Sequence, residues 1–90
     1  MSETVFKGIT VTRDEVITAL KAFASAYPEP NGYERWLEKD TYLYAIDYQG
    51  RLYPPKHILS VVTGIPTSEF SGGEQTNRVF RDLGFEIVSK

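Results

Sequence analysis

The stretch "TYLYAIDYQGRLYPPKHILSVVTG", residues 41–64, holds a strand, a turn, a returning strand and a helix in one run. Residues 41–47 are rich in strand-forming side chains. Tyr48-Gln49-Gly50 reads as a turn, with glycine available for the positive φ of a tight hairpin. "RLY" (51–53) is then the return strand. Pro54 stops it, and Pro55 suits the first turn of a helix, where a missing N–H costs nothing. That helix, "KHILSVVT", buries Ile58, Leu59 and Val62, and Gly64 ends it in a left-handed C-terminal position.

Working towards the N-terminus, "TVFKGITV" (4–11) is β-branched and reads as one short strand. Thr12 and Glu15 make the pattern of a capping box. Val16, Leu20, Phe23 and Tyr27 follow on one face of a helix over about 13–26. "PEPNG" (28–32) ends it, and "YERWLEKD" (33–40) reads as a short helical turn giving Trp36 and Leu37 to the core. Towards the C-terminus, "IPTSEF" is a connector and a last helix covers about 72–83. Thr76, Val79, Phe80 and Leu83 share its buried face, Gly84 closes it, and "FEIV" is a final strand. No repeat, low-complexity tract or linker divides the chain. The expectation is a single α+β domain over residues 1–90, a small antiparallel sheet of the hairpin plus terminal strands packed with three short helices.

Composition narrows the function classes. Ninety residues, 41% hydrophobic and 24% charged, describe an ordinary globular domain with a small core. Its six tyrosines, five phenylalanines and one tryptophan compensate by the large area each ring buries. There is no cysteine, hence no disulfide and no thiolate metal site, which fits a cytoplasmic protein. The N-terminus lacks the basic flank and apolar run of a secretory signal, and no stretch approaches a membrane span. A net charge of −2 argues against strong unspecific DNA binding. The charge is uneven, with five basic and eight acidic side chains in residues 1–50 against five and four in residues 51–90.

Gly72 and Gly73 sit where the last helix starts, although glycine is a poor helix former. Ser71 and Glu74 form a second capping-box pattern, which explains those two residues and leaves the glycines unexplained. Two readings remain. In the structural one, Phe70 or the 48–51 turn packs over them. In the functional one, the missing side chains let a nucleic-acid phosphate reach the N–H groups of a helix start. A P-loop is absent, so nucleotide hydrolysis is not expected.

The exposed face of this helix is expected to present Gln75, Asn77, Arg78 and Arg81, amides and guanidiniums of the kind that contact bases and phosphates. Glu74, Arg78 and Asp82 are spaced for a surface ion-pair ladder. Arg81 has no acid four residues away and is the better candidate for an external contact. In "GRLYPPKH", Arg51, Lys56 and His57 surround Tyr53, a basic and aromatic mixture compatible with nucleic acid. Lys56 opposes the dipole at its helix start, which calls for a partner, either a phosphate or a carboxylate such as Asp47. Arg51, Lys56, Arg78 and Arg81 are expected to converge on one face.

Catalysis is not expected. His57 is the only histidine, no serine sits in a nucleophile elbow, and zinc lacks ligands. Glu34, Glu38, Asp40 and Asp47 are scattered and read as acidic surface. No cofactor, metal or membrane partner is implied.

The C-terminal half, "GRLYPPKHILSVVTGI" followed by "FSGGEQTNRVFRDLGFEI", resembles a small N-terminal accessory domain of McrA-type, modification-dependent HNH restriction endonucleases. There a "YPPK" helix start and an "FSGGE" segment ending in "LGF" recur together. The likeness spans about residues 42–88 and implies a DNA-binding accessory domain of a restriction, or defence, system. It does not transfer the nuclease, because no HNH residues are present. The candidate contact residues are Arg51, Tyr53, Lys56, Ser71, Gly72, Gly73, Gln75, Asn77, Arg78 and Arg81, with DNA, and a nuclease domain or defence-complex protein, as expected partners. The alternative is a protein-interaction module, or a small inhibitor of a defence complex, using the acidic N-terminal half. With Lys90 two residues past the last expected strand, the chain reads as one domain of a longer protein or as a complete small protein.

Overall fold

A computed structural model of the chain describes residues 3–28, 43–70 and 73–89. The N-terminal segment forms two strands where one was expected, β1 (Glu3–Phe6) and β2 (Ile9–Thr12), joined at Lys7 and Gly8. Both turn residues have positive φ, 49° and 81°, as a two-residue hairpin of right-handed twist requires. Gln49 and Gly50, at 51° and 79°, repeat the arrangement between β3 (Tyr44–Tyr48) and β4 (Arg51–Tyr53). Tyr48 therefore belongs to the strand, opposite Arg51, and the turn is one residue shorter than its sequence suggests.

The N-terminal hairpin pairs only with itself and stays a separate two-stranded sheet. The second sheet has the order β4-β3-β5, all antiparallel, with β5 (Glu86–Ser89) running beside β3 from Asp47↔Glu86 to Tyr44↔Ser89. The architecture is α+β, with two small sheets in place of the single sheet expected, and three helices among the described residues.

Helix α1 spans Arg13–Ala26 as its periodicity predicts, and buries Val16, Ala19, Leu20 and Phe23. Its capping box is complete: the Glu15 N–H donates to Thr12 Oγ1 over 3.1 Å, and the Thr12 N–H donates to Glu15 Oε1 over 2.9 Å. Helix α2 is Pro55–Thr63, with Pro55 at its start and Gly64 left-handed at its end. A 3-10 turn at Thr67–Glu69 leads to α3, Glu74–Asp82, shorter at both ends than expected. The turn expected at 33–40, with Trp36 and Leu37, lies outside the described residues.

Helix α3 buries Thr76, Val79 and Phe80, and ends in a Schellman turn. The Phe85 N–H reaches Phe80 O over 2.9 Å, and the Gly84 N–H reaches Arg81 O over 3.0 Å. The rings of Phe80 and Phe85 meet edge to face behind this turn, 6.4 Å apart. Gly84 is favoured by its φ of +85°, and an added Cβ would also crowd Arg13 Nη1 at 3.3 Å. Arg13 donates to Leu83 O over 2.7 Å and lies 4.4 Å from the Phe85 ring centre, which ties the start of α1 to the end of α3. Among the described residues no helix is long and apolar enough to cross a membrane.

Thr12→Ala removes one capping acceptor and is expected to cost about 1 kcal/mol in urea denaturation. Phe80→Ala, which empties a site of 0% exposure, is expected to cost about 3–5 kcal/mol. The same urea midpoints check both.

Candidate nucleic-acid interface

The N-terminus of α3 differs from its sequence signature. Gly73 is the N-cap, so Glu74 occupies the first helical position and not the third, which a capping box with Ser71 needs. No side chain among the described residues caps this end. Gly73 O accepts from the Thr76 and Asn77 N–H groups, each over 3.1 Å. Ser71 and Gly72, and with them the expected packing over the glycine pair, lie outside the described residues.

From Glu74 onward the helical turn distributes the polar side chains over two flanks. Gln75, Arg78 and Asp82 look towards β1 and, with Thr4, Val5, Phe6, Lys7 and Val79, line a groove of about 180 Å³. Arg78 is 78% exposed and only loosely paired, its Nε lying 3.8 Å from Asp82. Asp82 is shared, because Thr4 Oγ1 also donates to it over 3.2 Å. Gln75 is exposed at the same groove.

Asn77 corrects the sequence expectation. It is 1% exposed, inside the core and away from solvent, with Oδ1 lacking a hydrogen-bond partner among the described residues. A step of about 100° per residue puts position 77 about 60° from the buried Phe80 and about 100° from Arg78 around the helix axis. A buried amide oxygen without a donor is costly. Asn77 is therefore not an exposed base-reading group in this structure.

Arg81 is exposed but has a partner that four-residue spacing does not reveal. Its Nη1 lies 2.7 and 2.8 Å from the two carboxylate oxygens of Glu74, nearly two turns earlier. This contact takes Glu74 out of the expected ladder, whose Arg78–Asp82 step alone remains.

Arg51 serves its own fold. Its Nη2 donates to Tyr27 O at the end of α1, and its guanidinium lies 5.3 and 5.8 Å from the ring centres of Tyr53 and Phe23. Its Nε is buried without a hydrogen-bond partner among the described residues. Tyr53 is itself buried, edge to face with Phe23, and presents no open ring for stacking. His57 also packs against Phe23, at 5.5 Å.

Lys56 is not paired with Asp47. Its Nζ lies 5.8 Å from the centre of the Phe70 ring, just ahead of α3. Phe70 in turn meets Phe6 edge to face at 5.3 Å, and Lys7 Nζ lies 5.9 Å from the Phe6 ring. An aromatic pair thus carries a lysine at each end. Lys7 was absent from the sequence candidates because its segment reads as a single strand. Recognising Lys7-Gly8 as a hairpin turn would have placed it at an exposed tip.

The basic side chains do not converge as a group. Lys7 and Arg78 share a groove and Lys56 stands at the adjoining aromatic pair, whereas Arg51 and Arg81 are held by their own chain. Among the described residues no three acidic or histidine side chains cluster to hold a metal ion. Neither a model of a known protein family, nor a curated protein, nor a solved structure matches the chain.

The division of the arginines has a measurable consequence. Arg51→Ala strips a charged donor from a partly buried carbonyl and is expected to cost about 1.5–3 kcal/mol. Arg81→Ala breaks an exposed pair and is expected to cost less than about 1 kcal/mol. Equal losses in urea denaturation would contradict the division.

Proposed function

We propose that this domain is a non-catalytic nucleic-acid-binding module, accessory to a DNA-targeting restriction system as the sequence resemblance implies. The observation that carries the reading is the groove between β1 and α3, which joins Lys7, Gln75 and Arg78, with Asp82 as its one carboxylate. Lysine and arginine heads flanking a side-chain amide are the usual equipment for holding a sugar-phosphate backbone. Phosphate oxygens would bridge Lys7 and Arg78, and Gln75 would donate or accept between them. Lys56, beside Phe70, adds a cation just ahead of α3, where N–H groups and the helix dipole also favour an anion. Ser71, Gly72 and Gly73 remain candidates there through their backbone.

The chain's net charge of −2 sets the expected strength. Few phosphates are neutralised, so affinity is modest, its dependence on salt is shallow, and it relies on a companion domain for sequence or modification specificity. Arg81 contributes less than Arg78, since Glu74 already neutralises it.

Fluorescence anisotropy with labelled duplexes, methylated and unmodified, tests the reading at low ionic strength. The wild-type chain is expected to bind with a salt-dependent affinity. Lys7→Ala combined with Arg78→Ala lowers the slope of log affinity against log salt by about two, whereas Arg81→Ala changes affinity by less than about twofold. Absence of binding to every duplex at low salt sinks the proposal.

A further inference from the structure

We propose that the groove between α1 and α2 docks a short amphipathic segment of a partner protein, one that carries a bulky apolar anchor and an arginine or lysine about one helical turn away. The groove has a volume of about 400 Å³ and is lined by Asp14, Glu15, Thr18, Ala19 and Ala22 from α1 and by Val61 and Val62 from α2. Its floor is low because Ala19 and Ala22 stand where a helix pair is ordinarily shielded by long side chains.

Val61 is 56% exposed. A lone exposed valine is normal and signifies nothing by itself. Here it forms one wall of a depression floored by Ala19 and Ala22 and faced by Asp14, Glu15 and Thr18, so an inserted apolar side chain would meet an apolar floor beside a polar, acidic edge. A helix laid in such a groove anchors itself by residues three and four apart.

Charge selects the occupant. Asp14 and Glu15 stand at the mouth of the groove, in the first turn of α1. Acids there also favour the helix itself, so their identity alone is uninformative. Their position on the rim is what gives the groove polarity. Glu15 is engaged with Thr12, whereas Asp14 is exposed and no cation among the described residues pairs with it. A nucleic acid would meet like charge at this mouth. So would a second copy of the chain approaching with its own Asp14 and Glu15. A cationic, apolar-faced segment meets complementary chemistry at both points.

This surface is distinct from the proposed phosphate groove. On α2, Lys56 and Val61 point about 140° apart around the helix axis. An accessory domain with both would hold nucleic acid on one side and a protein on the other.

Titration of the isotope-labelled chain, followed by backbone amide shifts, tests the inference. The probe is a capped helix-forming peptide of about 16 residues, with leucines along one face and flanking arginines; its counterpart has glutamates for the arginines. Shifts are expected at Ala19, Ala22 and Val61 with the arginine peptide. Binding weakens several-fold with the glutamate peptide and with Asp14→Asn, and is lost in Ala22→Arg, which fills the groove while its spectrum shows an intact fold. The Lys7→Ala, Arg78→Ala variant keeps peptide binding, which separates this inference from the DNA reading. No shift at millimolar peptide overturns it. So do equal binding of both peptides, binding retained by Ala22→Arg, shifts of these amides by duplex DNA, or concentration-dependent shifts without peptide, which would assign the groove to a second copy.

Discussion

Burial of Phe80 is the constraint on which the molecule depends. Helix α3 has nine residues, too few to persist in water on its own propensity. It is held because Phe80 is fully enclosed and Val79 and Leu83 are nearly so. The Schellman turn then fixes where the chain leaves, and Phe85 closes over Phe80 from behind. Arg13 locks that exit by binding Leu83 O and covering Phe85, so the first helix and the last hold each other in place across most of the chain.

The polar groove is a consequence of that anchoring. Once Phe80 and Leu83 face inward, Gln75, Arg78 and Asp82 must project from the flank that faces β1. Lys7 arrives there because the N-terminal hairpin packs its Phe6 into the same core, against Phe70. Its companion Lys56 is brought to the neighbourhood by the other ring of that pair. Two hydrophobic contacts therefore position cations that are far apart in sequence.

Basic side chains in a domain this small serve two different ends, and local environment separates them. Arg13 and Arg51 satisfy main-chain carbonyls and cover aromatic rings, work suited to a planar, always charged guanidinium. Arg81 is neutralised by a bidentate carboxylate. Lys7, Lys56 and Arg78 have weaker ties and remain available to an external anion. The acidic rim over α1 is a second electrostatic surface, so a slightly negative chain can present regions of opposite sign.

The sequence by itself determined most of the local elements, the Lys7-Gly8 turn and the start of α3 excepted. The α1 boundaries followed from the Thr12–Glu15 box and from apolar residues three and four apart, and α2 followed from Pro55 and Gly64, because capping and backbone freedom act within a few residues. The α+β class and the apolar face of α3 were legible for the same reason. Tertiary structure decided the remainder. That Asn77 turns inward, that Arg81 reaches back to Glu74, and that Arg51 is spent on Tyr27 depend on where helices start and what packs beside them. Lys7 meets Arg78 only after the hairpin and α3 have docked. Such long-range neighbours are set by the burial of a shared core, a quantity that no short window of residues contains.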